Sequence, residues 1–73
     1  MNQRKLEALT AEIIGRHSPM MTFSDVSAEI GMRNKIAVHA FLEGLPVYRV
    51  SSRRRWMASD VARRILESED PFQ

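Results

Sequence analysis

Arg53, Arg54 and Arg55 are consecutive, with Arg49 shortly before them and Trp56 directly after. A guanidinium group is a planar fork of N–H donors that matches the oxygens of a phosphate, so such a run suits a polyanion. A second group lies earlier in the chain: Arg33, Asn34, Lys35 and His39. Arginine and lysine donate to guanine O6 and N7, and asparagine can bind adenine bidentately, so this set suits the reading of base edges. Asn34 has an equal claim to a different role, as a helix cap. Together Arg33, Asn34, Lys35, His39, Arg49, Arg53, Arg54 and Arg55 are the candidate DNA contacts.

Other chemistries are poorly supplied. Ser18, Asp25 and His39 can be written as a triad, but nothing in their spacing supports one, and a chain this short offers little cleft. No catalytic residue is assigned and no enzymatic activity is expected. The chain has no cysteine, and His17 and His39 stand in different segments, so no metal site and no cofactor is expected. Arg63 and Arg64 are expected on the exposed surface of the last helix.

The charge is unevenly spread. Residues 31–57 hold six cations against the single carboxylate of Glu43, a local +5 in a chain whose total is +2. An acidic tail follows. That asymmetry points to a polyanionic partner. At 73 residues the chain is expected to be one domain, residues 1–73, with an economical core. The lack of cysteine fits a reducing cytoplasm. No apolar run approaches the ~18 residues of a membrane span and no signal-peptide pattern opens the chain, so a cytoplasmic protein without a membrane partner is expected.

These side chains need elements to position them. Leu6, Leu9, Ile13 and Ile14 mark one face of a leading helix over about 3–15, which Gly15 is expected to close. Thr22-Phe23-Ser24-Asp25 has the form of a capping box, with Met21 and Val26 as a hydrophobic staple. Val26 and Ile30 would face inward, Ala28 would make a close helix contact, and Gly31 would end this second helix. Asn34 or Arg33 starts a third helix, with Ile36, Ala37, Ala40 and Phe41 as its apolar stripe. Gly44 stops it and Pro46 prevents its resumption.

Strand-forming residues then flank a cationic turn at 51–54. Tyr48 and Val50 are expected to share a buried face with Trp56, with Arg49 and Arg55 pointing the other way. Ser59 or Asp60 would cap a final helix over about 59–67, with Val61, Ile65 and Leu66 inward. Met20 and Met21 offer a minor alternative, an exposed patch for self-association.

Two short helices joined by a glycine-bearing turn, followed by a basic hairpin, form a pattern: a helix-turn-helix with a wing. The expected fold is mostly α with a small β-hairpin (α+β), a winged helix-turn-helix. Its helix-turn-helix covers about 22–44, its wing about 47–57, and its acidic tail 68–73.

From Thr22 to Ile65 the sequence resembles the small phage and plasmid excisionases, related to the DNA-binding headpiece of MerR-type regulators. The likeness rests on Thr22, Gly31, Gly44-Leu45-Pro46, the arginines at 53–55 with Trp56, and Ser59-Asp60-Val61, at spacings that agree without gaps. It departs at Ser27, where the family usually has alanine, and in its extra leading helix. The resemblance implies an architectural factor or small transcriptional regulator that binds double-stranded DNA, self-associates on repeated sites and works with a recombinase or transcription partner. The alternative is a winged helix used as a protein-interaction module of the phage adaptor or inhibitor kind, with no direct DNA role.

Overall fold

Fourteen residues, Gln3–Arg16, form helix α1. Asn2 caps it: its side-chain oxygen accepts from the backbone N–H of Arg4 at 2.9 Å and of Lys5 at 3.4 Å. In this computed structural model residues 2–68 are described. Leu6 and Ile13 are buried and Leu9 packs beside them, whereas Ile14 is 39% exposed. Gly15 does not close the helix. It remains helical, and α1 ends one residue later at Arg16, capped by His17, whose N–H donates to the Ile13 carbonyl at 2.9 Å. The end is set by tertiary partners, since Arg16 and His17 both reach Glu29 on the next helix.

Met20–Met21 form a short strand, β1. No two-residue strand has a readable period, and none was expected. Met21 is fully buried, so the pair is not an exposed self-association patch.

Helix α2 spans Phe23–Ile30. The capping box is present in both directions: the Asp25 N–H donates to Thr22 Oγ1 at 3.0 Å and the Thr22 N–H donates to Asp25 Oδ2 at 3.1 Å. Val26 is fully buried and Ile30 packs on the core. Ala28, expected at a close helix contact, is exposed. Gly31 ends α2 in the left-handed region, with φ 71°.

Helix α3 spans Lys35–Leu42. Its inward face is Val38 and Leu42, with Ala37 and Phe41 half-buried, while Ile36 and Ala40 face solvent. The expected stripe was therefore right at Ala37 and Phe41 and wrong at Ile36 and Ala40. Ile36 through Leu42 is apolar at every position but His39, so its pattern permits two overlapping stripes, and packing selects the one that buries Val38 and Leu42. Gly44, with φ 87°, redirects the chain after α3.

Strands β2 (Tyr48–Val50) and β3 (Arg53–Met57) form an antiparallel hairpin. Only Ser51 and Ser52 form its turn, and both have positive φ, 53° and 67°. That is the pattern of a type I′ turn, the hairpin turn whose twist suits the strands. The register is Tyr48↔Arg55, Arg49↔Arg54 and Val50↔Arg53. Residues directly opposite share a face, so Arg49, Arg54 and Trp56 lie together and Tyr48, Val50, Arg53 and Arg55 lie on the other side. Tyr48 and Val50 are 41% and 43% exposed. They do not share Trp56's buried face, because a turn of two residues fixes the opposite alignment.

Strand β3 also pairs with β1, placing Met21 opposite Trp56 and Met20 opposite Met57. The three-stranded antiparallel sheet has the order β1-β3-β2. Helix α4 (Ala58–Glu67) follows β3 without a loop. Its N-cap is Met57, with no side-chain cap, so neither Ser59 nor Asp60 serves; instead the Ala58 N–H donates to the Pro19 carbonyl at 2.9 Å. Ala58, Val61 and Ala62 are buried against α1, and Ile65 and Leu66 pack at the margin.

The described chain is thus four helices and one three-stranded antiparallel sheet, mostly α. Its core is Ile13, Met21, Val26, Val38, Val61 and Trp56, one from nearly every element. Of the acidic tail at 68–73, Ser68 caps the end of α4 and residues 69–73 lie outside the described residues, and no described helix is long and apolar enough to cross a membrane.

Candidate nucleic-acid interface

Trp56 anchors the hairpin. It is 5% exposed, lies opposite Met21 in the sheet, and its ring centroid is 6.3 Å from that of Phe23. The alternation of β3 then puts Arg54 on the same face one step toward the tip, and Arg49 joins it from β2. Burial of one aromatic ring therefore aims two guanidinium groups.

Those groups line an open groove of about 740 Å³ between the hairpin, α3 and the first turn of α2. Lys35 and His39 come from α3, one turn apart. Arg49, Arg53, Arg54 and Arg55 come from the hairpin, and Thr22, Phe23 and Ser24 form the end at α2. Six of the eight candidate residues thus meet in one place. His39 is held by a ring contact with Phe23, centroids 4.7 Å apart.

Arg33 lies just outside. It lines an adjoining depression of about 580 Å³ on the α2–α3 turn, which shares Phe23, Ser24 and Lys35 with the groove. Asn34 is the cap of α3: its Oδ1 accepts from the N–H of Ile36 at 2.8 Å and of Ala37 at 3.4 Å. A bidentate adenine contact needs that same oxygen, so the two roles compete.

The electrostatics are one-sided. Arg33, Lys35, Arg49, Arg53, Arg54 and Arg55 make no ion pair and no side-chain hydrogen bond with any described residue. Arg49 and Arg54 are direct cross-strand partners, an arrangement of like charges that destabilises a sheet. Three arginines elsewhere are occupied. Arg16 bonds Glu29 through both carboxylate oxygens, at 2.9 and 2.7 Å. That contact, aided by His17, holds the Glu29 carboxyl below its ordinary range against the opposing effect of burial, and it raises Arg16. Arg63 pairs with Asp60 at 3.7 Å. Arg64 is more than exposed surface: it donates to the carbonyls of Phe41 at 2.9 Å and Glu43 at 3.0 Å, satisfying the C-terminal end of α3.

Sequence reasoning missed three contributors. Phe23 read only as a residue inside a capping box, yet it bridges His39 and Trp56. Ile36 was assigned to the core and is on the surface. Arg64 read as solvent-facing; basic residues that cap another helix leave no local signal. Compared with known proteins, the chain matches no family model, no curated protein and no solved structure.

Proposed function

We propose that this chain is a sequence-specific DNA-binding protein built as a winged helix-turn-helix. Helices α2 and α3 are the helix-turn-helix, α3 enters the major groove, and the β2–β3 hairpin is the wing that contacts phosphates or an adjacent minor groove. Its role is that of an excisionase-like architectural factor or a small transcriptional regulator, with self-association on repeated sites and a recombinase or transcription partner.

One observation carries this reading. Six cations without a described partner surround the groove and its margin, and two of them, Arg49 and Arg54, face each other across the hairpin. A protein surface tolerates such repulsion most readily when a ligand supplies the counter-charge. Phosphates spaced along a duplex do so for several cations at once.

Salt titration is the test. The logarithm of the binding constant falls against log salt with a slope of roughly −0.9 per neutralised phosphate, so about four contacts give a slope near −3.6. Replacing Arg53, Arg54 and Arg55 by alanine should weaken binding by tenfold or more and flatten the slope, with circular dichroism unchanged. A slope near zero would sink the mechanism.

The rival, a winged helix that binds a protein, is favoured by one feature. Tyr48, Val50 and Met57 are exposed on the hairpin's other face, beside the free edge of β2. A partner of that kind would survive Arg49→Ala with Arg54→Ala, which lie on the opposite face, and be lost on Tyr48→Ala with Val50→Ala.

A further inference from the structure

The outward face of α3 is not uniformly polar. Ile36 is 80% exposed, the most exposed large apolar side chain described, and Ala40 is exposed one turn further on. Single apolar residues on a surface are ordinary. The neighbourhood of this one is not. Lys35 precedes it, and Ile36 and Arg54 line a common depression of about 480 Å³ beside the main groove. Neither cation has a described ion-pair partner. Glu43 is the one carboxylate lining that depression.

Ile36 is also the second residue of α3. In the docking proposed above, that is the end of the helix that reaches base edges. Every major-groove base edge presents hydrogen-bond donors or acceptors, and thymine alone adds an apolar projection, its 5-methyl group. An isoleucine with Lys35 before it and Arg54 on the same depression fits that surface: the cations meet phosphates and the side chain meets the methyl. A purely apolar protein partner would leave Lys35 and Arg54 beside it without counter-charge.

We infer that Ile36, with Ala40 behind it, reads thymine 5-methyl groups in the major groove, making it a specificity-determining residue of the site. The inference rests on the DNA-binding reading and adds to it a base preference. Lys35 and His39 form the adjacent row of α3 and supply the polar contacts beside the methyl.

The test uses the 73-residue chain and duplexes recovered by unbiased selection. Each thymine is replaced singly by 2′-deoxyuridine, which removes the methyl and keeps the base pair. At one or two positions the wild-type chain should lose about fourfold in affinity per methyl removed, the effect of uncovering one buried methyl-sized group. Ile36→Ala should bind thymine and deoxyuridine duplexes equally, with its salt slope unchanged because no phosphate contact is lost. At 80% exposure the side chain contributes little to the core, so the variant folds.

Three results would overturn the inference. If the wild-type chain binds both duplexes alike, or Ile36→Ala keeps the discrimination, the methyl is not read by Ile36, while DNA binding itself stands. If Ile36→Ala dissociates an oligomer in sedimentation without altering the thymine dependence, the residue serves a second copy of the chain. If the wild-type chain binds no duplex at all, the DNA-binding reading fails and takes this inference with it.

Discussion

Arg49 and Arg54 stand directly opposite each other in the β2–β3 hairpin, on the face that also carries the buried Trp56. Neither has a described ion-pair partner. Under the proposed DNA-binding reading, the pair separates the needs of the fold from the needs of binding. Arg54→Glu converts a repulsive cross-strand pair into an attractive one, so the hairpin should gain roughly 0.2–1 kcal/mol in urea unfolding. The same variant should bind DNA more weakly than Arg54→Ala, because it adds repulsion as well as removing a donor. A variant that is both less stable and a normal binder would contradict this account.

Trp56 and Tyr48 are predicted to differ sharply, although both are aromatic residues of one hairpin. Trp56→Ala removes a ring that is 5% exposed and should cost about 3–5 kcal/mol. Tyr48 is 41% exposed and is expected to cost about 1 kcal/mol or less on replacement by alanine. Chemical denaturation of the two variants side by side decides it; equal losses would mean that the assigned faces of β2 and β3 are wrong.

The turn offers a gain in stability. Ser51 and Ser52 both hold positive φ, a region that serine adopts at a cost. Replacing them by Asn and Gly, the pair that type I′ turns favour, should raise stability by about 0.5–1 kcal/mol without changing the register. The thermal midpoint measures this. A fall would indicate that the serine side chains hold the turn in some other way.

Acid should weaken the contact between α1 and α2. The Arg16 hydrogen bonds, with His17, hold the Glu29 carboxyl below its ordinary range. A carboxylate lowered in the folded state stabilises fully above its unfolded value, about 4.3, and that contribution disappears as the pH falls through the lowered one. Glu29→Gln removes the charged acceptor. It should be less stable than wild type near neutral pH, and the difference should shrink below pH 4. Urea unfolding across pH 3–7 is the measurement, and parallel curves would rule out the linkage.

Much of the local framework was legible in the chain because its causes are local. The capping box needs only Thr22 and Asp25, three residues apart, and both of its bonds form. Asn34 caps its own helix, and Gly31 and Gly44 supply the left-handed positions that end or follow helices. The cationic hairpin was also legible, since strand-forming residues flank a short polar stretch. The candidate site was readable as a list of residue types: of the eight, six meet in one groove, Arg33 lines its margin, and Asn34 is used as a cap.

What the sequence determined alone is therefore where helices begin and end when a nearby side chain or glycine decides it, and that the positive charge is concentrated in one segment. The tertiary structure decided direction. It chose which apolar stripe of α3 faces inward, and so exposed Ile36. It set the hairpin turn at two residues, and so turned Tyr48 and Val50 outward and Arg49 and Arg54 toward the groove. It paired Met20 and Met21 with Trp56 and Met57, residues far off in the chain. It started α4 without a side-chain cap, on a bond from Ala58 to Pro19. Each of these depends on which distant surface is available to bury, and a local pattern that is apolar on two faces cannot choose between them.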